Sequence, residues 1–145
     1  PLGLHDTRMR THLLQSMQAV LLDALRAYTR ETVIAEKFQA MVVLGRANSR
    51  MKDFYDIWIL SRSFSFDDDR LARAIAATFA RRETQIPENL PDALTLAFAA
   101  DEQKQQQWRV FIEDVAHNPG NLANVVRDIA NFLMPHAASA ARLGQ

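Results

Sequence analysis

Residues 31–60 read ETVIAEKFQAMVVLGRANSRMKDFYDIWIL, and this stretch decides the fold. Val33, Ile34, Phe38, Met41 and Val42 recur at the three-and-four spacing of one helix face. Glu31 falls in the first turn of that helix, where the helix dipole favours a negative charge, and Thr29 stands where a hydroxyl can cap it. Gly45 suits the position at which a left-handed residue ends a helix without steric cost. A basic turn follows, with Asn48 or Ser49 as the next cap. A further helix is expected from about Arg50 to Ser61, with Phe54, Ile57, Trp58 and Met51 inward. Among these apolar residues sit ionisable ones. Lys37 lies on the first helix. Asp53 and Asp56 are three apart on the second and share a face, and Lys52 precedes Asp56 by four and can pair with it.

Upstream, Leu13, Met17, Val20, Leu21 and Leu25 predict a helix over about Arg8–Ala27, preceded by a loose lead-in over 1–8. Downstream, Asp67 caps a helix striped by Leu71, Ala74, Ile75, Thr78 and Phe79, with Asp68 and Asp69 in its first turn. Pro91 opens a short helix carrying Leu94, Ala97 and Phe98. Asp101 caps another, on which Trp108, Phe111, Ile112 and Val115 align; its first turns, EQKQQQ, are polar all round and should face solvent. Asn118 as cap and Pro119 at the first helical position start the last helix, striped by Leu122, Val125, Val126, Ile129, Phe132 and Leu133. After Pro135 an Ala-rich tail, 136–145, is expected to be weakly ordered. No stretch alternates with period two long enough for a strand. The expected fold is all-α, an irregular or orthogonal bundle of six to seven helices in a single domain over 9–135.

The totals bound what such a domain can be. At 145 residues and 48% hydrophobic composition the chain can bury a core. Seventeen basic residues balance seventeen acidic ones, so the chain lacks the excess positive charge of a dedicated nucleic-acid binder. Absence of cysteine removes disulfides, thiolate metal sites and a cysteine nucleophile. The apolar runs fall short of the ~20 residues of a membrane span, and the N-terminus lacks an apolar signal core; a cytoplasmic protein is expected. The chain does not begin with Met, which reads as processing, a tag remnant or a fragment. Glycines 3, 45, 120 and 144 are scattered, so no Gly-rich phosphate loop exists, and no His-Glu-x-x-His metal pattern occurs. No metal ligands are expected. Lys37 with Asp53 remains, open to two readings: a structural ion pair, or a compact cation for phosphates with a carboxylate to orient it.

A resemblance sharpens the second reading. Residues 30–41, RETVIAEKFQAM, then LGRANSRMKDFYDIWIL, TFARRET, FAAD and KQQQW resemble the C-terminal helical part of the bacterial AbiEii/AbiGii nucleotidyltransferase toxins. The likeness spans about 26–108 and weakens over 109–135; residues 1–20 match nothing. It rests on Glu36-Lys37 and on Asn48-Ser49-Arg50-x-Lys52-Asp53-x-x-Asp56. The resemblance implies a polymerase-beta-like catalytic scheme using a nucleoside triphosphate and Mg2+. In it Lys37 contacts phosphates, Asp53 is the late acidic residue of the motif, and Asp56, Arg50 and Lys52 support them. It also implies an antitoxin partner and, for relatives, tRNA as acceptor.

The chain departs from that family's pattern. No glycine is followed by serine, and no Asp-x-Asp precedes Glu31. The metal-holding half of the family is therefore not in this sequence, and two-metal chemistry fails without its carboxylates. These residues alone are expected to bind no cofactor and to be inactive, as a fragment or a truncated homologue in an abortive-infection system. The alternative is a stand-alone helical interaction module with no catalytic role. Loss of a covering half should bare an apolar patch, so a homodimer through helix 9–27 or the face of 121–134 is expected.

Overall fold

The computed structural model describes residues 2–144, with side chains over 8–22 and 30–144. Helix α1 runs Leu2–Leu44, and a 3-10 turn, Gly45–Ala47, follows it. Then come α2 (Met51–Ser63), α3 (Asp68–Arg81), a 3-10 turn at Asp92–Leu94, α4 (Leu96–Ala100), α5 (Glu102–Ile112) and α6 (Leu122–Leu143). No strand occurs among the described residues, so the expected all-α fold holds.

The chain divides into two compact units, 1–30 and 31–145. Residues 2–30 are wholly helical, so the loose lead-in and the break before residue 31 do not occur. Thr29 lies inside α1 rather than at a cap; its side chain, like that of Leu25, is outside the described residues. The physical reason is plain: AlaTyrThrArgGlu holds neither Gly nor Pro, and a capping residue permits a helix start without compelling one. Met9, Leu13, Leu14, Met17, Val20, Leu21 and Leu22 are all exposed, by 51% to 71%.

In the second unit, Ile34, Phe38 and Met41 from α1 are fully buried, with Phe54 and Ile57 from α2 and Leu71, Ile75 and Phe79 from α3. Helix α6 packs on α2, α3 and α4, and α5 on α2 and α4. Phe38 meets Phe79 at 5.3 Å and Phe54 stacks on Phe98 at 5.4 Å, ring centre to ring centre. Trp58, expected in the core, is only half-buried, its indole N–H 3.3 Å from Asp128 and its ring under the Arg62 guanidinium at 4.6 Å. The fully buried tryptophan is Trp108, which donates to the Gly120 carbonyl at 2.9 Å.

Caps fix the element starts. The Asp67 carboxylate accepts from the Arg70 N–H and the Asp101 carboxylate from the Gln103 and Lys104 N–H groups, as expected. The short helix expected after Pro91 is split: Thr95 is extended and caps α4, leaving Leu94 and Phe98 buried but Ala97 exposed. Asn118 does not cap the last helix. Its side chain accepts from Gly120 N–H at 2.9 Å inside the turn, and Asn121 takes the capping role. Nor does α6 stop at Pro135. That residue sits on the exposed face, as does Asn131, whose carbonyl loses its N–H partner and can turn to water. Ala137 and Ala140 beyond it are buried, because small side chains let the helix end pack closely. Residues 136–143, expected as a weakly ordered tail, are therefore part of α6.

One contact ties the start of α3 to this end of α6. His136 Nδ1 lies 2.8 Å from Asp68 Oδ1. The hydrogen bonds from His136 and then Ser139, with the Arg142 charge also facing it, hold the Asp68 carboxyl below its usual 3.8. A depressed carboxylate adds stability above its unfolded-state pKa and loses it as pH falls through the folded value. Acid titration of the melting temperature should show wild type and Asp68→Asn converging below about pH 4; a constant offset down to pH 2 would show that the carboxylate charge is irrelevant there.

Candidate functional site

The 3-10 turn after α1 returns the chain so that α2 lies beside residues 31–44. Gly45, at φ +54°, makes the reversal, a conformation that costs a side-chain-bearing residue energy. Asn48 then organises the turn. Its side-chain carbonyl accepts from Arg50 N–H at 2.8 Å, and its backbone carbonyl accepts from Lys104 Nζ at 2.8 Å. Asn48 thus supports the turn rather than capping α2, whose N-cap is Arg50 without a side-chain bond.

This reversal brings Lys37 against both aspartates. Lys37 Nζ lies 2.9 Å from Asp53 Oδ1 and 3.1 Å from Asp56 Oδ2. Arg50 Nε approaches Asp53 Oδ2 at 3.1 Å, and Lys52 Nζ approaches Asp56 Oδ2 at 2.6 Å. The Arg50 contact is ionic only, since Asp53 Oδ2 is buried and accepts no hydrogen bond. All five residues singled out in the sequence therefore meet in one cluster. The Asp53 side chain is 5% exposed and those of Lys37 and Asp56 about a fifth, whereas Arg50 and Lys52 are mostly in solvent.

Burial would lower the Lys37 ammonium pKa. The hydrogen bonds and charges of Asp53 and Asp56 outweigh it, and the net displacement is upward from 10.5. Lys37 is a fixed cation at neutral pH, unsuited to act as a general base. With two carboxylates and three cations the cluster carries one net positive charge, and its two exposed cations can re-aim at an incoming anion. Both carboxylates already face cations, so they do not fit the oxygen shell a divalent metal needs. Among the described residues no group of three or more potential metal ligands occurs.

Beside the cluster, an open cleft of about 640 Å³ runs between the start of α2 and α5, lined by Arg50, Met51, Lys52, Asp53, Gln107 and Phe111 among others. A groove of about 710 Å³ between residues 88–96 and α6 shares no residue with the cluster. Size alone does not make that groove the site, because the convergent charges lie at the smaller cleft.

Sequence reasoning missed Lys104. The run EQKQQQ was expected to face solvent, yet Lys104 is buried, its ammonium on the Asn48 carbonyl and 5.5 Å above the Phe98 ring. The signal was its i,i+4 spacing to Trp108, which puts it on the apolar face.

No curated protein and no solved structure matches the chain. A family model does, described as nucleotidyl transferase AbiEii toxin, type IV toxin–antitoxin system, over residues 12–133. The match starts earlier than the resemblance read from residue 26 and takes in part of the first unit. It contains every residue of the cluster, and at 122 of 145 positions the chain belongs to the AbiEii family of nucleotidyl transferase toxins of type IV toxin–antitoxin systems.

Proposed function

We propose that the cluster on α1 and α2 is the phosphate-holding side of a nucleotidyl-transfer site. The observation carrying this reading is the charge arrangement: Lys37 held between Asp53 and Asp56, flanked by exposed Arg50 and Lys52, with one positive charge in excess. A nucleoside triphosphate is the substrate class, its phosphates replacing water around Arg50 and Lys52 while Asp53 and Asp56 keep Lys37 aimed. Asp53 serves as the buried anchor and Asp56 as its support. Mg2+ would supply charge neutralisation at the transferring phosphoryl group, and Asp53 and Asp56, already facing cations, would not hold it. These 145 residues alone are accordingly inactive. tRNA is the acceptor, an antitoxin the protein partner and the cytoplasm the compartment. No helix among the described residues is long and apolar enough to cross a membrane.

Two measurements test this. Labelled triphosphate with Mg2+ and tRNA should give no transfer by the chain alone; robust transfer abolished by Lys37→Ala would overturn the inactivity. The chain alone is not expected to retain a nucleotide, so calorimetric titration at millimolar triphosphate should show only weak binding, which falls about tenfold further in Arg50→Ala plus Lys52→Ala, two exposed positions. Equal binding by the double variant would refute the phosphate role.

The competing reading, a helical interaction module in which Lys37 and Asp53 are only an internal ion pair, draws support from the bare apolar face of residues 9–22.

A further inference from the structure

We infer that residues 9–22 form a self-association surface, at which α1 pairs antiparallel with α1 of a second copy about a two-fold axis at Met17. Met9, Leu13, Leu14, Met17, Val20 and Leu21 fall on one helix face at three-and-four spacing, and every one of them is more than half exposed. Six such side chains present on the order of 600 Å² of apolar surface per chain, near the ~800 Å² that each partner brings to a standard interface. So dense an apolar stripe is uncommon on an isolated soluble monomer.

The occupant follows from the composition of the stripe. Over residues 8–22 the charged residues are Arg8 and Arg10, at one end, and no Trp or Phe occurs. A helix that lies on a lipid surface carries a row of Lys and Arg along its polar face and aromatic anchors on the other. Residues 8–22 have no such row and no aromatic anchor. A second copy fits better, because an aliphatic stripe is complementary to itself and two-fold pairing is the commonest closed arrangement.

Orientation follows from the spacing of the stripe about Met17 and from the helix dipoles. Antiparallel pairing centred on Met17 puts position 10 opposite position 24, an alanine, and faces Leu13 with Leu21 and Leu14 with Val20. It also opposes the two helix dipoles favourably.

The absence of cysteine makes the test direct. Sedimentation equilibrium of the full chain from 1 to 100 μM should show a dimer, and Met17→Glu should weaken it at least about a hundredfold by placing two carboxylates at the axis. Calorimetric melting of Met17→Glu should keep the transition of the 31–145 unit, excluding misfolding as the cause. Under mild oxidation, Met17→Cys should cross-link to itself, and a mixture of Leu13→Cys with Leu21→Cys should give the mixed disulfide in preference to either homodimer. A monomer at 100 μM overturns the proposal, whichever other surface then covers the stripe. Self-cross-linking of Leu13→Cys without the mixed product overturns the antiparallel arrangement.

Discussion

Trp108→Ala is expected to cost about 3–5 kcal/mol, the range for deleting a large buried aromatic. The indole is 1% exposed, lies 5.9 Å from the Phe111 ring, and donates to Gly120 O. Truncation leaves a cavity and an unpaired carbonyl at the turn that leads into α6, and the two costs add. Of the roughly 5–15 kcal/mol that holds a domain of this size, that is a large share. Trp58→Ala should cost less, about 1–2 kcal/mol, since that side chain is only partly buried and the Arg62 guanidinium lies over its ring. Urea denaturation of both variants checks the order. Equal midpoints would show that the two rings carry the same load and that the burial difference has no energetic meaning.

Lys37→Met should destabilise by on the order of 3 kcal/mol, the low end of what breaking a buried pair costs, because Arg50 and Lys52 still face the abandoned carboxylates. Asp53 suffers most: at 5% side-chain exposure it cannot regain water, and one of its oxygens already accepts no hydrogen bond. The pH dependence separates this charge effect from simple packing. The folded-state pKa of Lys37 is raised above 10.5. Its contribution is therefore complete below that unfolded value and disappears as pH climbs through the higher folded one. Wild type should lose stability in that alkaline window relative to Lys37→Met, and the gap between them should narrow. A gap unchanged from pH 8 to pH 12 would mean the ammonium charge contributes nothing.

The parts legible in the sequence were those where one residue type has one physical use. Asp67 and Asp101 read as caps and are caps. Gly45 read as a left-handed helix end and has φ +54°. Lys37, Asp53 and Asp56 converge because helical spacing plus a tight turn leaves few other arrangements. The parts that escaped depended on neighbours. Thr29 offered a cap that no helix end required, Pro135 fell on a face where water replaces its missing bond, and Asn121 rather than Asn118 won the cap because Gly120 first reverses the chain at φ +91°. Lys104 looked solvated by composition; its i,i+4 spacing to Trp108 sets it on the apolar face, and the Asn48 carbonyl opposite α5 accepts its ammonium there.

Both tryptophans, at 58 and 108, lie in the unit that begins at Glu31, and residues 1–30 contain neither. Tryptophan fluorescence is thus blind to the first unit, whose aromatic residue is Tyr28, while far-ultraviolet circular dichroism sums the helix of both. The two signals need not trace one curve during denaturation, and any lag between them measures how independently residues 1–30 melt. Trp108, in an apolar setting, should dominate the blue side of the emission and Trp58 the red, so the spectrum itself distinguishes loss of the core from loss of its edge.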